Sequence, residues 1–268
     1  MSNAIRHPEM KGVLAGLSGG DELRRHSLGV QAIDHVLGGG LAAGRLHEMF
    51  ADEAQDEASA MSFAVMLALL VSSREGSQPA LLWLREETAQ RRGGLYGPGL
   101  ADLGLDPARL VLGVLPDVKS LLRAGLDAVR CAALDAVILE LSGNPPLLDL
   151  TASRRLMLAA ERSGVTPLLL RMGAAQARAS AAQTRWQVAS ASSVPLEADA
   201  PGQPVLRLSL LRQRGGAAGF NWTVEWNRDA GCFRPAALPR ARVPLSGGGP
   251  VPLVGESDSA GAGWRIAV

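Results

Sequence analysis

Apolar and polar positions follow two different periods along this chain. From Leu28 onward, short runs that are almost continuously apolar alternate with longer stretches in which apolar residues recur every three to four positions. Continuous apolar runs are typical of parallel strands that helices cover on both faces. The pattern predicts an α/β fold with a mostly parallel central sheet. The predicted strands are residues 44–50, 80–86, 109–116, 134–141 and 166–172, and the predicted helices are residues 58–75, 117–131, 151–164 and 174–191.

The period changes again toward the C-terminus. Residues 205–214 and 220–226 alternate apolar and polar positions around the turn sequence GGAAG, which predicts a closing antiparallel hairpin. Pro, Gly and Ser dominate residues 234–268 and predict a flexible tail, whose last residues GWRIAV are either a docking peptide or a frayed end. Residues 1–25 are polar and mixed and are predicted to form an N-terminal arm. The predicted domain therefore spans residues 26–233.

Composition excludes several classes of protein. The chain has 268 residues, 47% of them hydrophobic, and a formal net charge of +1, so its bulk charge gives no attraction to nucleic acid or membranes. Its two cysteines, Cys131 and Cys232, have no metal-site spacing, so we expect no metal and a reducing cytoplasm. The longest apolar run, residues 61–71, is shorter than the roughly 20 residues that span a bilayer, so no membrane contact is expected.

Three stretches resemble the core of RecA. Residues 28–50 resemble its opening, where a Gly-rich turn leads to the first strand, residues 117–141 resemble the helix that runs into the Walker B strand, and residues 205–226 resemble its last two core strands. The resemblance implies a RecA-like core over roughly residues 25–230. Within that superfamily, the small size, the altered phosphate loop and the Trp-rich hairpin resemble the ImuA family, RecA-like accessory proteins of bacterial SOS mutagenesis that are often grouped with SulA.

The resemblance places a phosphate loop directly after the first strand, but the residues there lack its chemistry. A Walker A loop, GxxxxGK[ST], needs glycines for its curled backbone, Lys for the phosphates and Ser or Thr for magnesium. The segment carries four carboxylates, those of Asp52, Glu53, Asp56 and Glu57, where a triphosphate of the same sign would bind. The two lysines of the chain, Lys11 and Lys119, are elsewhere. We expect no ATPase activity and no cofactor. The matching positions hold Ala51, Asp56, Glu57 and Ala58.

By the same resemblance, the other positions of the ATP site are vestigial. Glu86 lies near the place of the catalytic glutamate, and Glu140 lies at the Walker B position, where a lone carboxylate without phosphates binds magnesium poorly. Arg171 and Met172 stand where a glutamine that senses the γ-phosphate is expected. We therefore expect no catalytic residue. Asp52, Asp56 and Glu57 are expected to cap the following helix, with an acidic partner-binding patch as the alternative.

DNA contact is a weaker prediction. The two DNA-binding loops of RecA correspond to residues 142–149 and 173–183, which are short and have no aromatic residue for stacking on bases. Residues 151–185 nevertheless contain six arginines against one acid, and two more arginines flank the hairpin turn. This excess of arginines is explained equally well by weak contact with phosphates and by a solvated helix face. The candidates are Arg154, Arg155, Arg162, Arg171, Arg178, Arg185, Arg212 and Arg214.

Three functions fit such a chain. The resemblance to ImuA implies a non-catalytic interaction module in SOS mutagenesis and translesion DNA synthesis, with an ImuB-like Y-family homologue, an error-prone DNA polymerase and RecA as partners. The second function is a SulA-like inhibitor of cell division, and the third is a residual nucleotide-binding regulator. The sequence leaves the oligomeric state open.

Overall fold

The computed structural model describes residues 23–72, 80–174, 178–200 and 202–237. These residues form a nine-stranded sheet, a two-stranded sheet and six α-helices. Most of the predicted N-terminal arm and the whole GWRIAV peptide lie outside the described residues.

The central sheet confirms the predicted fold class. Its strands follow the order β11-β10-β9-β8-β3-β7-β6-β4-β5. The pairs from β8 to β5 are parallel, and those from β8 to β11 are antiparallel. The predicted closing hairpin is formed by β9 and β10. The strands are β1 (Arg25–His26), β2 (Leu41–Ala42), β3 (His47–Ala51), β4 (Ala80–Glu86), β5 (Leu110–Leu115), β6 (Leu134–Ser142), β7 (Thr166–Met172), β8 (Thr184–Ala191), β9 (Val205–Gln213), β10 (Phe220–Asn227) and β11 (Cys232–Pro235).

Helices cover the two faces of the parallel part of the sheet. One apolar cluster joins α2 to side chains such as Trp83 and Trp186, and a second cluster joins α5 and α6 to side chains such as Leu139 and Leu169 on the opposite face. Burial on both faces explains why the parallel strands are apolar at successive positions. The helices are α1 (Gln31–Val36), α2 (Glu57–Val71), α3 (Glu87–Arg92), α4 (Gly97–Asp102), α5 (Val118–Val129) and α6 (Leu150–Ser163).

Helix α2 is the main core helix. It is apolar around nearly its whole circumference, and Phe63, Met66 and Leu67 are fully buried against the sheet. By length and composition the helical segment Ala54–Val71 could cross a membrane, with a mean hydropathy of 1.3, but more than half of it is buried within the protein. A core helix has this composition for the same reason as a membrane helix, since neither meets water.

Helices α5 and α6 begin at capping residues that are visible in the sequence. The Asp117 carboxylate accepts a hydrogen bond from the Ser120 N–H, and the Asp149 carboxylate accepts one from the Ala152 N–H, each at 2.7 Å. Helix α6 ends at Gly164, whose φ of 77° favours glycine. These ends fix both helices over the sheet.

The prediction of a helix over residues 174–191 is wrong. Thr184–Ala191 form strand β8, which lies between β3 and β9, and the described residues 178–183 contain no helix. The alanines suggested a helix, but Trp186 and Val188 bury their side chains completely in the sheet core. Burial between two neighbouring strands decides the conformation here, since intrinsic propensity is weak compared with tertiary packing.

Strand β11 extends the antiparallel part of the sheet by one strand. It pairs with β10, and its last residues, Arg234 and Pro235, belong to the segment that the sequence assigned to the tail. The Phe233 side chain is buried against Trp226, with ring centroids 4.8 Å apart, and against Phe63, with centroids 5.8 Å apart. The chain after the hairpin therefore contributes to the core as far as this strand.

Candidate functional site

The carboxyl ends of the parallel strands meet at one edge of the sheet. In open α/β sheets, ligands bind at this edge, in the crevice between loops that leave neighbouring strands. The segment from Ala51 to Ala58 connects β3 to α2 at this edge, with β7 on one side of β3 and β8 on the other. This strand–turn–helix unit is the place where a phosphate loop would lie.

The backbone of this turn does not form a phosphate cradle. A phosphate loop turns successive N–H groups toward the anion, which requires left-handed residues. The backbone has no positive φ between Ala51 and Ala58, and residues 54–56 form a short 3-10 helix. The Asp52 N–H donates to the Val188 carbonyl at 2.8 Å, and the Asp56 N–H donates to the Glu53 carbonyl at 3.0 Å. These two N–H groups are therefore bonded within the protein.

Asp56 ties the turn to strand β8. Its Oδ1 accepts hydrogen bonds from both the backbone N–H and the hydroxyl of Ser190, each at 2.8 Å, and only 4% of the residue is exposed. The bond from the Ser190 N–H holds the pKa of Asp56 below its usual range. The predicted capping role is wrong for this residue. Asp56 occupies the N-cap position of α2, but its side chain makes no capping bond to the helix.

Asp52 makes a second link between the turn and the antiparallel strands. Its carboxylate accepts a hydrogen bond from the Gln187 side-chain amide at 2.5 Å and pairs with Arg207 at 3.1 Å. It therefore does not cap α2 either. The pair is partly exposed, so it contributes little to stability. Glu53 is exposed and contacts the Gln55 amide, while the half-buried Glu57 starts the first turn of α2 without a capping bond.

The Glu140 carboxylate, which the sequence predicts at the Walker B position, accepts a hydrogen bond at each of its two oxygens. Its Oε1 accepts a hydrogen bond from Arg85 Nη2 at 2.8 Å, and its Oε2 accepts one from the Trp83 indole N–H at 2.9 Å. Arg85 also donates to the Gly93 carbonyl. A carboxylate neutralised by a buried guanidinium is a poor magnesium ligand, because the ion would have to displace the guanidinium.

Glu86 lies at the end of β4, close to the end of β6. Its Oε1 accepts a hydrogen bond from the Ser142 N–H at 3.3 Å, and the Ser142 hydroxyl in turn accepts one from Arg92 at 2.5 Å. The structure thus places the two predicted vestigial carboxylates in separate hydrogen-bond networks, each tied to neighbouring strands or to α3.

Sequence reasoning missed the most deeply buried ionic cluster. Glu48 on β3 is inaccessible to solvent and bonds to Arg171 at 2.9 Å and to Arg185 at 2.7 Å, while Ser180 donates to it at 2.9 Å. Arg171 also donates to Asn144 in the loop after β6. The signal was present, since a glutamate inside a continuously apolar strand requires cationic partners on the neighbouring strands.

The cluster corrects the set of DNA candidates. Arg171 and Arg185 are buried in ion pairs with Glu48, so their assignment as phosphate-contacting residues is wrong. Loop residues 173 and 174 and residues 178–183 lie beside this cluster in the chain, and residues 175–177 lie outside the described part. The exposed candidates are Arg154, Arg155, Arg162, Arg178, Arg212 and Arg214.

The fold of this chain is shared with a solved structure. The crystal structure of the RadB recombinase superposes with a TM-score of 0.53 over 79% of this chain and 99% of RadB, at 14% sequence identity, which shows a RecA-like fold. Protein ImuA of Caulobacter vibrioides, from strains NA1000 and ATCC 19089, is 32% identical over 210 residues, or 74% of this chain and 82% of the relative. The chain therefore belongs to the ImuA family, and this membership supports a role in the ImuA system of SOS mutagenesis. No protein-family model matches the chain.

Proposed function

We propose that this chain is a non-catalytic, cytoplasmic RecA-like accessory protein of damage-induced mutagenesis and translesion synthesis that acts through protein contacts. The observation that carries the proposal is the acidic turn after β3, at the predicted place of a phosphate loop. Asp52 and Asp56 of this turn bond to side chains and backbone of strands β8 and β9. The proposed partners are an ImuB-like Y-family homologue, an error-prone DNA polymerase and RecA.

Electrostatics supports the absence of nucleotide binding. Two like unit charges about 4 Å apart repel by roughly 4 kcal/mol at an effective dielectric constant of 20. The turn carries four carboxylates, of which Asp52 is paired with Arg207 and Asp56 is buried, so Glu53 and Glu57 are the acids without such a partner that a triphosphate would meet. Opening the turn for a triphosphate would also break the bonds of Asp56 to Ser190. Magnesium would find Glu140 already paired with Arg85.

The edge strand β5 supports a role in protein contacts. It is the last strand on one side of the sheet in the described chain, and its apolar residues Val111, Leu112 and Val114 are 55%, 39% and 42% exposed. Soluble proteins usually protect such edges, because unpaired strands with apolar side chains recruit other chains. A partner would cover this edge in the assembled complex.

Nucleotide binding is tested by the melting temperature of the full chain. Ligands that bind the folded state stabilise it by RT ln(1 + [L]/Kd), and this added free energy of unfolding raises the melting temperature. We expect no shift with millimolar ATP and magnesium, and no phosphate release above a protein-free blank. A saturable shift with nucleotide would contradict the absence of nucleotide binding and favour the residual nucleotide-binding regulator, and phosphate release above the blank would contradict the non-catalytic assignment.

Partner binding is tested by crosslinking and co-purification of the tagged chain from DNA-damaged cells. We expect to recover an ImuB-like protein, a polymerase or RecA, and we expect Val111→Lys combined with Val114→Lys to reduce this recovery. Val194→Lys is the matched control, because Val194 is 45% exposed but lies outside the strands. Recovery of none of the three partners with the unaltered chain would contradict the proposal.

A further inference from the structure

A groove lies between helices α5 and α6 on the face of the sheet opposite α2. Two adjoining clefts form it, and they share Leu126 and Arg155. Leu122 and Leu126 of α5 face Leu156 and Ala159 of α6 across the floor. Leu147 and Leu158, also in the lining, are 54% and 45% exposed, so the described part of the chain leaves apolar surface uncovered here.

Cations line both banks of this groove. None of the residues that line either cleft is acidic. Two nearby acids are engaged elsewhere, since Glu161 contacts Arg45 at 3.6 Å and the Asp149 carboxylate caps α6. Asp127 of α5 pairs with Arg130 at 3.3 Å, and this pair is exposed to solvent. Among the described residues, Arg123, Arg155 and Arg162 make no ion pair. The lining cations are Lys119, Arg123 and Arg130 on the α5 side and Arg155 and Arg162 on the α6 side.

We infer that this α5–α6 groove binds an acidic amphipathic helix of a partner protein. A helix that lies in a groove places apolar side chains at i, i+3 or i+4 and i+7 on the floor. Its glutamates or aspartates on either side of that stripe would reach the arginines of the two banks. Helix α5 has 12 residues and is about 18 Å long, so the groove accommodates roughly three turns of a helix.

The apolar floor favours a helix over nucleic acid as the occupant. Single-stranded nucleic acid is held by cations together with aromatic side chains on which bases stack, and no aromatic residue lines either cleft. Phosphates would contact the arginines but would leave Leu126, Leu147 and Leu158 without a partner. A peptide with both acidic and apolar side chains satisfies the whole surface.

This inference deepens the proposed function by naming the chemistry of one partner, and it rests on that proposal only for the biological setting. The probe is a fluorescent 16-residue helical peptide with leucines at i, i+3, i+4 and i+7 and glutamates elsewhere on its flanks. Its anisotropy is measured with the full chain. We expect saturable binding tighter than about 1 mM, and none for the same peptide with lysines in place of the glutamates.

Paired variants test whether the groove is the site. Arg155→Glu with Arg162→Glu should weaken peptide binding at least tenfold, and Leu126→Ser should do so without changing charge. Arg91→Glu is the control, since Arg91 is 69% exposed on α3, outside the groove. Melting temperatures confirm that each variant is folded. Absence of saturable binding, or equal binding by the groove variants and the control, would overturn the inference, whereas partner recovery from damaged cells tests the proposed function separately.

A single-stranded oligonucleotide provides the competing outcome. If it displaces the peptide, and if its own binding depends on Arg155 but not on Leu126, the groove is a phosphate site and the inference is wrong. If it leaves the bound peptide in place, the inference is supported.

Discussion

Arg85 and Glu140 form a buried ion pair in which Nη2 and Oε1 lie 2.8 Å apart and the side chains are 5% and 3% exposed. Removal of one partner leaves an uncompensated buried charge, which typically costs about 3–5 kcal/mol. We expect Arg85→Met to lower the free energy of unfolding by this amount in urea titrations. Arg91→Met, which breaks an exposed pair with Glu87, should have almost no effect. Equal losses in the two variants would contradict the prediction.

His47 predicts a dependence of stability on pH. Its ring contacts the Thr184 hydroxyl at 2.7 Å and the Ala42 carbonyl at 2.9 Å, and burial lowers its pKa from 6.5 to about 4. Between these two values the unfolded chain binds a proton that the folded chain does not. The free energy of unfolding therefore does not depend on this ring above pH 6.5, and it falls by about 3 kcal/mol as the pH drops from 6.5 to about 4.

The measurement is a series of urea titrations between pH 7 and pH 4. His47→Gln should flatten the curve in this window, and NMR titration of the ring in the unaltered chain should show a neutral His47 at pH 5.5. A ring that titrates near pH 6.5 in the folded chain would disprove the prediction.

The aromatic core predicts that β11 is essential for stability. Phe233 is 1% exposed and packs against Trp226 and Phe63. We expect Phe233→Ala to lower the free energy of unfolding by about 3–5 kcal/mol, because it removes apolar surface and leaves a cavity. Phe220→Ala is the matched control, since Phe220 is 38% exposed and should lose much less. A similar loss of stability in both variants would contradict the predicted difference between a buried and a partly exposed ring.

The sequence predicted the parallel strands well because burial on both faces leaves a direct pattern. Residues 80–86 and 166–172 are β4 and β7 as predicted. Strand β8 could not be predicted in the same way. Its alanines favour a helix by local propensity, and Arg185 is explained only by its ion pair with Glu48 on the neighbouring strand β3. Strand order and neighbours are tertiary facts, and they decide whether an alanine-rich segment is helix or strand.

The sequence predicted where the acidic turn lies in the fold, but it did not predict which residues its carboxylates contact. The place of the acidic turn follows from the strand before it and the apolar helix after it. The partners of its acids, Gln187, Ser190 and Arg207, lie more than 130 residues away in the chain. No local pattern joins them to the turn, so the sequence suggested helix caps, whereas the structure shows links between strands.

Asp56 provides a test of whether the acidic turn is structural. Asp56→Ala removes both bonds to Ser190 and leaves the Ser190 N–H without this acceptor, so we expect the free energy of unfolding to fall by about 1–3 kcal/mol. Asp56→Asn keeps an acceptor oxygen and should lose less stability, and Glu53→Ala should change the stability little because Glu53 is exposed.

The lowered pKa of Asp56 adds a second expectation. Its contribution is complete above its unfolded pKa of 3.8 and is lost as the pH falls through the folded value, so Asp56→Ala should be less sensitive to acid.

The same variants separate a structural turn from a partner surface. If the turn serves only to hold β3, α2 and β8 together, Asp56→Ala should recover the same partners as the unaltered chain at temperatures below its melting point. Glu53 is the residue whose loss would then reveal a contact, because it is exposed and its removal does not disturb the turn. Loss of a partner in Glu53→Ala, with an unchanged melting temperature, would show that the turn binds that partner through its charge.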